Sequence, residues 1–146
     1  MNESFELAKR LLRVIDVITK FSEQRMPEEF AQLNITQVRI LYLLLHKPGI
    51  SQKSLAKLLQ ITPAAVSVTV RDLEAAGLIE RNPDPEDARQ MNLVLSERGE
   101  ALVSSAEDMR YGAVAKMLEA LPVKDRQMIV EALERAFEIT RNGNGN

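Results

Sequence analysis

The chain has 146 residues, 45% of them hydrophobic, 27% charged and only 4% aromatic, with no Cys and no Trp. That is enough for one domain, or two small units sharing a core, built from Leu, Ile, Val, Ala and Met. The missing Cys excludes a disulfide framework, a thiolate metal site and a thiol redox sensor, and the net charge of -2 on its face argues against nucleic acid.

The first predicted element is a helix over Phe5–Ser22, where Leu7, Leu11, Val14, Ile18 and Phe21 form a stripe widened by Leu12, Ile15 and Val17. A face that wide calls for burial against more than one neighbour. The Met1–Val14 stretch is charged and amphipathic, unlike a signal peptide. The longest apolar run, Ile40–Leu45, is too short to span a bilayer, so no membrane association and a reducing cytoplasm are expected. Asn34 or Thr36 can cap a second helix, which Lys47-Pro48-Gly49 stops after His46. Ser51 caps a short third helix, SQKSLAKLLQ, with Leu55, Leu58 and Leu59 turned inward.

Residues 62–77, TPAAVSVTVRDLEAAG, carry conflicting signals. Val66-Ser67-Val68-Thr69-Val70 alternates like a half-buried strand, whereas Thr62-Pro63 opens a helix and Gly77 closes one. At about 100° per residue, Val66, Val70, Leu73 and Gly77 share one side of a helix, which a strand would not achieve. Thr62 as N-cap and Pro63 at the first helical position use the place where a missing N–H costs little. The β-branched residues lower helix propensity by only a few tenths of a kcal/mol each, so the segment is predicted helical. Its outer face then presents Ala64, Ala65, Ser67, Val68 and Arg71. Small residues permit close approach to a surface, Ser67 can donate or accept, Arg71 can reach a phosphate or a guanine edge, and Val68 or Ala64 can meet a thymine methyl.

After Gly77, Leu78–Arg81 reads as a short strand, Asn82-Pro83-Asp84-Pro85 as a loop, and Met91–Leu95 as a returning strand. Ser96 caps a long helix that Leu121-Pro122 breaks. A last helix follows with Met128, Ile129, Leu133 and Phe137 on its apolar face, and residues 141–146 read as a disordered tail. The expected class is mainly α with a small β-hairpin wing (α+β): a winged helix-turn-helix over 34–99, flanked by dimerisation helices in 1–33 and 100–140. A second copy is the simplest partner for the apolar stripes of the flanking helices.

Charge distribution qualifies the acidic total. No acidic residue falls between Glu29 and Asp72, while Arg39, Lys47, Lys53, Lys57 and Arg71 all do. A local basic surface matters more to phosphate binding than the sum over the molecule.

The stretch SQKSLAKLLQITPAAVSVTVRDLEAAGLIER, followed by DARQMNLVLSERG, resembles the MarR family of bacterial winged-helix transcriptional regulators, and the likeness covers nearly the whole chain. LEAAGLIER and the Asp87-x-Arg89 wing are its most specific elements. The resemblance implies a homodimer on a pseudo-palindromic operator of double-stranded DNA, one recognition helix per major groove. It makes Ser67, Val68 and Arg71 base-facing, places Arg89 in the minor groove, and has Asp87 help hold the wing in shape. Ser51, Gln52, Lys53 and Thr62, near helix starts, are expected to meet phosphate. It also implies a small effector, aromatic or anionic, between the dimerisation helices and the DNA-binding unit. Two departures stand out: many relatives have Arg where this chain has Val68, and Asp84, Glu86 and Asp87 surround the single Arg89 of the wing.

No enzyme constellation can be assembled, so no catalytic residue and no metal ligand is assigned. His46 is the only His and sits at a helix C-terminus, where a cationic ring is comfortable. There is no phosphate-cradling glycine loop and no nucleophile elbow, and no resident cofactor is expected. Two readings stand: a sequence-specific regulator, favoured by the acid-free basic stretch, or a winged-helix protein–protein interaction module without DNA binding, favoured by the acidic total and acidic wing.

Overall fold

Local signals account for most of the helix boundaries in the computed structural model, which describes residues 2–143. Helix α1 runs Glu3–Glu23, and a single turn, α2 (Glu28–Ala31), which sequence patterning missed, precedes α3 (Ile35–His46). Asn34, not Thr36, caps α3: its side chain accepts from Gln37 N while Gln37 Oε1 accepts from Asn34 N, both at 2.9 Å. Strand β1 (Ile50–Ser51), also unexpected, leads into α4 (Gln52–Leu59) and α5 (Pro63–Ala75). Strands β2 (Ile79–Pro83) and β3 (Met91–Leu95) form the wing hairpin, and α6 (Glu97–Glu119) and α7 (Val123–Gly143) complete the described chain. The fold class is the expected one, mainly helical with a small antiparallel sheet.

Two compact units share these elements. One comprises Glu23–Met109; the other holds residues up to Ser22 together with those from Arg110 on. In the first, the sheet order is β1-β3-β2, with Ile50 opposite Leu93 and Ile79 opposite Leu95. The loop expected from Asn82 begins two residues later, because Asn82 and Pro83 pair with Asn92 and Met91. Pro83 is tolerated there because β2 is an edge strand, where a ladder donor is dispensable. Ile40, Leu44, Leu55, Val66, Val70, Leu73, Leu78 and Leu93 are fully buried in the core of this unit. Each such side chain contributes about 1.5–3 kcal/mol relative to exposure.

Helix α6 enters the same core at its first turn. Ser96 Oγ accepts from Gly99 N at 3.0 Å and donates to Gly77 O at 2.6 Å, so one hydroxyl caps α6 and holds the turn after α5. A Cβ on Gly99 would stand 1.9 Å from Leu78 O. Only glycine permits that approach of helix to strand.

In the other unit the break at Pro122 is closed by Arg126, whose guanidinium donates to Leu121 O and Glu119 O at 2.9 Å. These are the orphan carbonyls at the end of α6. Helix α7 continues through 141–143, the first three residues of the expected tail; 144–146 lie outside the described residues. Among the described residues no helix is long and apolar enough to cross a membrane.

Candidate nucleic-acid interface

The segment 62–77 is a helix capped at both ends. Thr62 Oγ1 accepts from Ala65 N at 3.1 Å, Pro63 occupies the first turn, and Gly77 adopts a left-handed φ of 72° beyond the C-terminus. Val66, Val70 and Leu73 are fully buried, as the helical wheel requires, while Ala64, Ala65 and Arg71 are exposed and Ser67 is half-buried. Val68 is 55% exposed. Thr69 turns its hydroxyl back onto Ala65 O at 2.9 Å, so it offers little to a ligand. The outer face of α5 is therefore largely hydrocarbon, with Arg71 as its cation. No ion pair among the described residues engages that guanidinium.

The first turn of α4 is occupied differently. Ser51 Oγ accepts from Ser54 N at 3.1 Å and lies 3.0 Å from Ser54 Oγ, so its hydroxyl serves the cap. Gln52 Oε1 accepts from Arg81 Nη1 at 2.8 Å, leaving the amide nitrogen as the donor to any phosphate. Lys53 is exposed, as are Arg39, Lys47 and Lys57. Helix α4 ends at Gln60 in the left-handed region (φ 54°), the one non-glycine residue with positive φ among those described.

Arg81 is a residue that local sequence patterns do not single out. Its Nε donates to Glu74 Oε2 at 2.9 Å while Nη1 reaches Gln52, so one side chain on β2 ties the last turn of α5 to the first of α4. Arg98 of α6 plays a similar part. Its Nη1 reaches Glu29 Oε2 at 2.7 Å and its Nη2 donates to Ala76 O, at the C-cap of α5. Both orient the outer helix of the motif through long-range contacts.

Asp84 organises the wing tip, and Asp87 adds one side-chain bond to it. Its Oδ1 accepts from Glu86 N (2.8 Å) and Asp87 N (3.1 Å), and its Oδ2 accepts from Asn92 Nδ2 (2.9 Å). The Asn92 hydrogen bond, followed by the two backbone donors, holds the Asp84 carboxyl below its ordinary value of 3.8. The Asp87 carboxylate makes one local bond, accepting from Arg89 N at 3.1 Å, a backbone contact rather than a grip on the guanidinium. Arg89 is exposed, with no ion pair on its side chain among the described residues. The acidity of the wing is thus partly internal.

His46 is not a core residue. It is exposed at the end of α3, its Nε2 lying 3.2 Å from Glu107 Oε1. Among the described residues no group of three or more His, Asp or Glu is placed to hold a metal ion.

Known proteins share this arrangement. The family model described as "MarR family" matches residues 33–91. The HTH-type transcriptional repressor Rv2887 of Mycobacterium tuberculosis is 30% identical over 103 residues, covering 70% of this chain and 74% of that protein. The uncharacterized HTH-type transcriptional regulator YdgJ of Bacillus subtilis is 29% identical over 100 residues, 68% of this chain but 61% of its own length. The crystal structure of RV1404 from M. tuberculosis matches with a TM-score of 0.84 at 26% identity, over 94% of each chain. This chain belongs to the MarR family of winged-helix transcriptional regulators.

Proposed function

We propose that the protein acts as a homodimer that binds a pseudo-palindromic operator and represses transcription until a small aromatic or anionic molecule releases it. The observation that carries the DNA part is the division of α5: Val66, Val70 and Leu73 on one side are fully buried, while Ala64, Ala65 and Val68 face outward without bulk beside the long side chain of Arg71. A major groove about 12 Å wide admits such a helix, and small side chains allow its backbone to approach the base edges. Arg71 suits a guanine edge or a phosphate. Arg89, carried on the hydrogen-bonded wing loop, suits the negative potential of a narrow minor groove. Thr62, Ser51, Gln52 and Lys53 lie at the first turns of α5 and α4, where backbone N–H groups and the helix dipole favour phosphate.

Dimerisation is supported by the exposed apolar residues of α1 and α7, and a two-fold axis matches half-sites about one helical turn apart. Repression is supported by the name of the Rv2887 relative, and effector release by the family resemblance. The protein–protein alternative draws on the net charge of -2. Selection of bound sequences from random duplex DNA separates the two. Recovery of inverted repeats supports the operator reading; recovery of unenriched sequence, or no retained DNA, overturns it.

A further inference from the structure

The loop between β2 and β3 is built around one carboxylate. Asp84 receives two backbone N–H groups from the next turn and a side-chain N–H from Asn92, three residues beyond Arg89 on β3. Its own N–H donates to Gln90 O at 2.9 Å, which closes the base of the loop, and Gln90 N donates to Asp87 O at 2.9 Å. Asn92 belongs to the central strand, opposite Asn82 of β2 and Ser51 of β1, the N-cap of α4. The loop that carries Arg89 is thereby anchored to the strand that also pairs with the start of α4. Every one of these links acts as a hydrogen-bond acceptor or donor, and none pairs Asp84 with a cation.

We propose that Asp84 is the positioning residue of the wing: it sets the loop in which Arg89 is presented to the minor groove, and it does so by accepting hydrogen bonds rather than by its charge. The proposal rests on the DNA-binding reading given above. It assigns to an acidic residue beside the DNA contact a favourable role, because a carboxylate turned into its own loop spends its lone pairs there. It also separates Asp84, whose carboxylate accepts three bonds, from Asp87, whose carboxylate accepts one, from Arg89 N.

The test uses the full-length protein, the operator recovered by selection, and four variants: Asp84→Ala, Asp84→Asn, Arg89→Ala and the Asp84→Ala/Arg89→Ala pair. Arg89→Ala should weaken operator binding about tenfold. Asp84→Ala should approach that loss, adding less than about twofold in the Arg89→Ala background, because a loop without Arg89 has little left to present. Asp84→Asn keeps an acceptor oxygen for the two backbone donors, and its new N–H can donate to the Asn92 amide oxygen once that side-chain amide flips, so it should bind within about threefold of wild type. A readout free of DNA accompanies these: the backbone order parameters of Glu86–Arg89 should fall below about 0.6 in Asp84→Ala and stay near those of the wild type in Asp84→Asn. Additive losses in the double variant, or rigid Glu86–Arg89 amides in Asp84→Ala, would overturn the proposal. So would Asp84→Asn binding as poorly as Asp84→Ala, since charge would then be the active property. If the wild type binds operator and Arg89→Ala weakens it while Asp84→Ala does not, the positioning role alone fails. If the wild type binds no duplex at all, it is the DNA reading that fails, and the positioning role falls with it.

Discussion

Within Glu23–Met109 a set of core positions is closed off by its own chain: Ile40, Leu44, Leu55, Val66, Val70 and Leu93 have almost no contact with solvent. Along α1 and α7 the apolar positions are open. Leu11 is 44% exposed, Leu133 49% and Phe137 68%, and α7 has no buried residue. Since burying each large aliphatic side chain is worth about 1.5–3 kcal/mol, the second pattern leaves much stabilisation unrealised in a single chain. Contiguous exposed apolar surface of that kind marks an interaction face. The contrast separates a reading unit complete in one copy from helices that a second copy completes in the proposed dimer.

The strongest way to break that contrast is to place charge on the open helices. Leu11→Glu combined with Leu133→Glu removes two apolar side chains per protomer, counted twice across a two-fold interface. We expect dimerisation to weaken by at least about 4 kcal/mol, roughly a thousandfold in dissociation constant. Sedimentation at micromolar concentration should move from dimer to monomer while the helical circular dichroism of the Glu23–Met109 unit persists. A double variant that sediments as the wild-type dimer, or a wild type already monomeric, would refute the assignment of these faces.

Two glycines of α6 sharpen the comparison at smaller scale. Gly99 abuts Leu78, whereas Gly112 has nothing within 4 Å of its would-be Cβ. Gly99→Ala should therefore cost about 1–3 kcal/mol through forced backbone movement. Gly112→Ala should instead gain about 0.5–1 kcal/mol from helix propensity. Urea unfolding of the two variants reads both signs. Equal shifts in the same direction would show that α6 is not differently packed along its length.

How much of this was legible in the sequence depended on range. Ser51 and Thr62 declare their helix starts because a cap acts within three residues, Asn34 shares that signal with Thr36, and the 3.6-residue period exposes the buried side of α5 through an apparent strand alternation. Strand β1 is two residues long and α2 four, too short for any period to register. Pro83 read as a loop because its edge-strand position is a property of the sheet, not of its neighbours in sequence. The ties from Arg81 to Glu74 and Gln52, and from Arg98 to Glu29, join elements far apart in the chain and leave no local mark. Asp84 shows its charge in the sequence but not the hydrogen bonds that turn it into its own loop. The stripes of α1 and α7 were visible at once, but a stripe names its need and not its partner.

The smallest expected effect belongs to the one valine that the helix turns outward. Val70 and Val68 differ by two positions and by opposite faces of α5. Val70→Ala, in the closed core, should cost about 2 kcal/mol of stability. Val68→Ala should change stability by no more than about 0.5 kcal/mol, because its side chain meets solvent. Its effect should appear on DNA. A thymine C5-methyl against Val68 would contribute about 0.8 kcal/mol, so replacing that thymine by uracil should weaken wild-type binding about fourfold. The same replacement should leave binding by Val68→Ala nearly unchanged, because truncating the valine has already removed the contact. Scanning each thymine of the selected operator in this way isolates a single methyl group without altering any base-pair hydrogen bond. If every uracil substitution costs the wild type and Val68→Ala equally, Val68 reads no methyl. The outward face of α5 would then owe its specificity to Arg71, the wing and the shape of the duplex.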